Sequence, residues 1–115
     1  LAALLIKEMQ NPRLRIALDA ANLFEAVPEG EQRRIVSSSV DLLAGHIAMA
    51  HAKDRAADGS FVAAGQGVLD YRYYLRALMA AGFDGPLVTH GLAAGEAAGV
   101  ASFLRRNLAD AGAAA

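Results

Sequence analysis

Three side chains able to ligate a metal stand at the ends of short apolar runs. Asp19 follows Leu14–Leu18, His51 follows Ile47–Ala50, and His90 follows Leu87–Thr89. Asp and His together suit a divalent ion such as Mn²⁺, Mg²⁺, Co²⁺ or Zn²⁺. Such an ion polarises a carbonyl or hydroxyl oxygen and stabilises an enediolate. Each residue taken alone has an ordinary reading: an Asp after a strand caps the next turn, and a His at a strand end is a satisfied rim residue. The same placement on three successive runs is what points to a site.

For these residues to meet, the three runs must be neighbouring parallel strands, and the rest of the chain fits that requirement. Leu1–Gln10 reads as a helix stopped by Asn11-Pro12, since proline cannot continue a helix and biases the residue before it. Leu14–Leu18 is the first strand, followed by a loop containing Pro28 and Gly30. Glu31–Leu43 places Val36, Val40 and Leu43 on one helical face. Gly45 closes that helix before the strand Ile47–Ala50. Lys53–Gly67 reads as a long polar, glycine-containing loop. Asp70 is a good N-cap for a helix over Tyr71–Ala81, with Tyr71, Leu75, Leu78 and Met79 on one face and Gly82 at the left-handed cap position. The turn Asp84-Gly85-Pro86 leads into the strand Leu87–Thr89. The last helix covers Gly95–Leu108, with Val100, Phe103, Leu104 and Leu108 inward, and the Ala-rich tail 109–115 is expected to fray.

The strand starts lie 33 and 40 residues apart, a normal βα spacing. Strands alternating with helices imply an α/β fold with a parallel sheet, whose chemistry sits at the carboxyl ends of the strands. Asp19, His51 and His90 would share that rim. His46 precedes a strand, falls on the opposite rim and reads as structural.

Composition narrows the function classes. The chain has 115 residues, room for one domain or a piece of one, with 55% hydrophobic and 20% charged residues, a globular balance. A net charge of -1 gives no broad basic field to attract nucleic acid. No apolar run approaches the roughly 20 residues of a membrane span, and Leu1–Ile6 lacks the pattern of a signal peptide. The absence of cysteine removes disulfides and thiolate ligands and fits a cytoplasmic location.

Four segments carry a resemblance in the right order. Ala50-His51-Ala52-Lys53-Asp54 resembles the His-x-Lys-Asp segment of the xylose isomerase-like TIM barrel superfamily of sugar-phosphate isomerases and epimerases. Leu18-Asp19-Ala20-Ala21-Asn22 looks like that family's Asp-x-x-His/Asn strand end. Gly65-Gln66-Gly67-Val68-Leu69-Asp70 looks like its Gly-x-Gly-x-hydrophobic-Asp segment, and Phe83-Asp84-Gly85-Pro86-Leu87 like its turn into the last strand. The resemblance implies that residues 1–115 are the C-terminal part, about three βα units, of a (β/α)8 TIM barrel. It implies a metal-dependent sugar or sugar-phosphate isomerase or epimerase of carbohydrate metabolism, acting on a small-molecule substrate. By the same resemblance Asp19 and His51 bind the metal, Asn22 faces substrate, and Lys53 and Asp54 lie at the mouth, holding substrate or the metal shell. The Gly65–Gly67 pair either lets the backbone approach a ligand or serves a turn.

Two departures bear on activity. The family's last strand normally ends in a metal-binding Glu, whereas this chain has His90, which can ligate a metal or shuttle a proton with a different charge and geometry. The family's strand-five Glu would precede residue 1. Fewer carboxylates mean weaker binding of a hard cation. A barrel takes roughly 250 residues, so three units leave open sheet edges. The chain is therefore expected to self-associate or to join the N-terminal barrel portion, and not to be active alone. Two other functions are open: the apurinic-site endonuclease branch, which carries Asp-x-His where this chain has Asp58-Gly59-Ser60, and a non-catalytic, degenerate barrel kept for binding or assembly.

Overall fold

The structure is a computed structural model, and it describes residues 1–23 and 29–113 of the chain. Helix α1 (Ala2–Met9) leads to strand β1 (Ile16–Asp19) and a 3-10 turn at Ala20–Asn22. Helix α2 (Glu29–Leu43) returns to strand β2 (Ile47–Arg55), which folds back through the short strand β3 (Phe61–Ala63). Helix α3 (Tyr71–Ala80), strand β4 (Leu87–Thr89) and helix α4 (Ala97–Ala113) complete the chain.

β2 is the centre of the sheet. β1 and β4 both run parallel to it, and β3 pairs antiparallel with its last three residues. Consecutive parallel strands joined through helices thus lie side by side, which is how a (β/α) barrel is wound. Among the described residues β1 and β4 each pair with β2 alone.

Alternation along β2 divides the residues between two faces. Ala50 and Ala52 are buried beneath the helices, where they join Leu18, Val36, Val40, Leu43, Leu75, Leu78, Val100 and Leu104 in one apolar core. The opposite face carries Met49, His51 and Lys53. Gln32 of α2 ties this layer to the loop before α3. Its Nε2 donates to the Val68 carbonyl at 2.8 Å and its Oε1 accepts from Asp70 N–H at 2.7 Å. Asp70 in turn caps α3 by accepting from Tyr73 N–H.

Three elements differ from their sequence reading. β2 runs five residues beyond Ala50, because Lys53–Arg55 find hydrogen-bonding partners in β3 within the expected loop. The hairpin turn is closed by Ser60 N–H and hydroxyl donating to Asp58 Oδ1, at 2.9 and 2.6 Å. α4 continues to Ala113 where fraying from residue 109 is expected, and Ala111 is fully buried against the core. Residues 114 and 115 lie outside the described residues, as does Pro28 of the expected loop. No helix among the described residues is long and apolar enough to cross a membrane.

Candidate metal centre

Register brings the strand ends together. Asp19 is the β1 partner of His51 on β2, and His51 is the partner of Val88 on β4, two residues before His90. In a parallel sheet, partners in register project to the same face, as do residues two apart along one strand. Asp19, His51, Lys53 and His90 therefore share one face at the carboxyl rim.

Their reactive atoms converge on one oxygen. Asp19 Oδ2 lies 3.4 Å from His51 Nδ1, 3.4 Å from His90 Nε2 and 3.3 Å from Lys53 Nζ. The two imidazole rings meet edge to face with centroids 4.6 Å apart. The three candidate ligand atoms of Asp19, His51 and His90 all lie within 4.8 Å of one another, so the three residues form a possible metal site. The other Asp19 oxygen is committed, since Oδ1 accepts from Ala21 N–H at 3.1 Å and caps the 3-10 turn.

The chemistry of this donor set fits a metal. His90 is 42% exposed as a side chain, yet its Nε2 is buried and makes no hydrogen bond. A buried imidazole nitrogen that makes no hydrogen bond costs free energy, and a cation between it and the Asp19 carboxylate would satisfy it. Two imidazoles and one carboxylate suit a borderline divalent ion better than a hard one.

The surrounding shell holds these residues in place. Tyr71 Oη of α3 donates to the Lys53 carbonyl at 2.6 Å, and Tyr74 Oη to the His51 carbonyl at 3.3 Å. Both hydroxyls are pushed well above the ordinary tyrosine value by burial, with nearby carboxylates adding to the effect, so they remain donors. Arg55, buried at the end of β2, donates from Nε to the Ala21 carbonyl at 3.0 Å and from Nη1 to Gly59 at 2.7 Å. It ties the turn after Asp19 to the hairpin. Sequence reading assigned no role at the site to Tyr71, Tyr74 or Arg55. Tyr71 reads in the sequence only as one of the inward residues of its helix, and no local pattern marks Tyr74 or Arg55.

The remaining expected residues divide. Asn22 is exposed at the rim, and its Oδ1 accepts from Lys53 Nζ at 3.5 Å. Lys53 lies in the cluster, partnered by Asp19, and not in a surface pair with Asp54. Asp54 lies elsewhere. Expected at the mouth, it is fully buried on the opposite face of β2, where strand alternation puts it. Its Oδ1 accepts from Arg55 and Leu69 N–H at 2.8 and 2.9 Å, and its Oδ2 from Gly65 and Gly67 N–H at 3.0 and 3.1 Å. Asp54 organises the loop before α3 and does not face the cluster. Both glycines serve internal contacts: the missing side chain lets Gly67 approach Asp54 and the Arg55 carbonyl, and lets Gly65 pack against the Phe103 ring.

Comparison with known proteins agrees with this architecture. A search of curated proteins finds no match to the chain. A family model described as xylose isomerase-like TIM barrel matches residues 2–107. That match spans nearly the whole chain and covers every strand and the Asp19/His51/His90 cluster, so the chain belongs to the xylose isomerase-like TIM barrel family.

Proposed function

We propose that this chain supplies part of the active site of a metal-dependent sugar or sugar-phosphate isomerase or epimerase. Asp19, His51 and His90 would hold one divalent ion. The observation that carries the reading is the convergence of both imidazoles on Asp19 Oδ2, with His90 Nε2 buried and making no hydrogen bond. One carboxylate among three ligands favours Mn²⁺, Co²⁺ or Zn²⁺ over Mg²⁺.

When bound, the ion would polarise oxygens on adjacent substrate carbons and lower the cost of an enediolate. The chain's own groups would do the rest. Asp19, capped through Oδ1, presents Oδ2 in a fixed direction. Lys53 and Asn22 stand at the rim, where an ammonium and an amide can hold sugar hydroxyls or a phosphate. His90, the most exposed of the three candidate ligands, stands nearest the substrate face. With β1 and β4 each paired on one side, assembly with further copies or barrel strands is part of the proposal.

The apurinic-site endonuclease alternative has less support. Asp58 is bound into its own turn by Ser60 at the position where that branch carries Asp-x-His.

A calorimetric Mn²⁺ titration of the chain, with His51→Ala as control, tests the reading. Binding near one ion per chain that is lost in the variant is the expected result. No binding, or equal binding by both proteins, would remove the site.

A further inference from the structure

Lys53 is bound to a candidate metal ligand before any substrate is present, and the inference drawn from that contact rests on the proposed function. Lys53 leaves β2 on the same face as His51 and brings its ammonium to 3.3 Å from Asp19 Oδ2, the oxygen that both imidazoles face. The side chain is well held: it is 11% exposed, its Nζ lies 3.8 Å from the centroid of the Phe61 ring, and it donates to Asn22 Oδ1 at 3.5 Å. Asp19 Oδ1 is turned toward the 3-10 turn, where it accepts from Ala21 N–H at 3.1 Å, so Oδ2 is the oxygen that faces the cluster. That oxygen is already paired with an internal cation.

We propose that Lys53 is a built-in competitor for the metal at Asp19 Oδ2. A metal–carboxylate bond is about 2.0–2.2 Å. An ion bound to Oδ2 would thus lie within about 5.5 Å of Lys53 Nζ at its present distance. Two cations so close repel, and both draw on the same negative charge. Metal entry displaces the Lys53 ammonium from Asp19, and Asn22 and the Phe61 face remain as its anchors. Lys53 thereby lowers the site's affinity for metal, and loading frees an ammonium at the rim. Lys53 acts here as a positioning residue, distinct from the ligands.

The test is a Mn²⁺ titration of the 115-residue chain and of Lys53→Met by calorimetry. Loss of one partly buried ion-pair partner should lower the Kd for Mn²⁺ about tenfold. A Kd that is unchanged or higher in Lys53→Met overturns the competition while leaving the metal site intact. No binding by either protein overturns the site and the competition together. A second measurement needs no variant. Lys7 and Lys53 are the chain's two lysines, so labelling by an amine-acylating reagent, mapped by mass spectrometry with and without Mn²⁺, carries its own reference. Labelling of Lys53 should rise several-fold relative to Lys7 when Mn²⁺ is present; equal labelling in both conditions overturns the displacement.

Discussion

Gly67 N–H donates to the Asp54 carboxylate at 3.1 Å, and only a residue without a side chain can make that approach. A Cβ at position 67 would sit 2.5 Å from Asp54 Oδ1 and closer still to the Arg55 carbonyl oxygen, which is backbone and cannot move aside. Asp54 accepts four backbone N–H groups from a fully buried position. Asp54→Ala would leave those donors without a partner at about 1–3 kcal/mol for each that water cannot reach. Asp54→Ala and Gly67→Ala should therefore each lower stability by about 2 kcal/mol or more, seen as an earlier urea midpoint. A midpoint within error of the unsubstituted chain for both would show that the loop is not held this way.

Separating charge from structure at Asp19 gives a sharper prediction for the metal. Asp19→Asn keeps an oxygen to cap Ala21 N–H while removing the anionic ligand. The retained cap should keep the chain folded, with stability lowered because Lys53 loses its charge partner. Mn²⁺ affinity should fall by more than the roughly 10- to 100-fold seen when partners outside the ligand shell are lost. Retained affinity in a folded Asp19→Asn chain would place the metal elsewhere.

The legible and illegible parts of the chain separate along physical lines. Asp19, His51 and His90 could be picked out because each closes an apolar run, and parallel pairing turns equal placement along the chain into proximity in space. The Asp70 cap and the Val36/Val40/Leu43 stripe were legible because they depend on local spacing. Asp54 was misplaced because its direction depends on where β2 ends. The strand continues to Arg55 only through pairing with β3, a non-local partner hidden in a polar segment. One further residue of strand turns a rim residue into a buried one. The Lys53–Asp19 contact links residues on different strands, and no local pattern reports it. Likewise, α4 extends to Ala113 because Ala111 finds the core, a tertiary contact that composition alone cannot show.

The two buried tyrosines set an upper pH limit for the fold. Burial raises both hydroxyl pKa values above the ordinary 10.0, so the folded state holds those protons more tightly than the unfolded chain does. A raised folded pKa gives stability that is fully present below the unfolded value and is lost as pH rises through and beyond it. Stability should thus be flat in this respect up to about pH 9 and fall from about pH 10 upward. The phenolate absorbance of Tyr71 and Tyr74 should appear together with the loss of helical circular dichroism. In Tyr71→Phe/Tyr74→Phe the alkaline fall should flatten, at a cost at neutral pH of about 0.5–1.5 kcal/mol per lost hydrogen bond. An unchanged alkaline limit in that double variant would assign it to other groups.

Self-association is the remaining expectation that the structure makes specific. Leu1, Leu5 and Met9 recur at the i, i+4, i+8 spacing of one helical stripe on or beside α1, and each is about half exposed or more, as is the neighbouring Leu4. The described residues leave that stripe uncovered while β1 and β4 each keep an unpaired side. An exposed apolar stripe favours contact with another apolar surface, and a second copy is the partner always present in a purified sample. Sedimentation velocity should show association that strengthens with concentration. Leu5→Lys/Met9→Lys should shift the population toward monomer without altering the helical signal, because both side chains are outside the core. If the unsubstituted chain sediments as a monomer at every concentration, the stripe is not an interface between copies. If it associates and the double variant does so equally, the open strands carry the contact instead of α1.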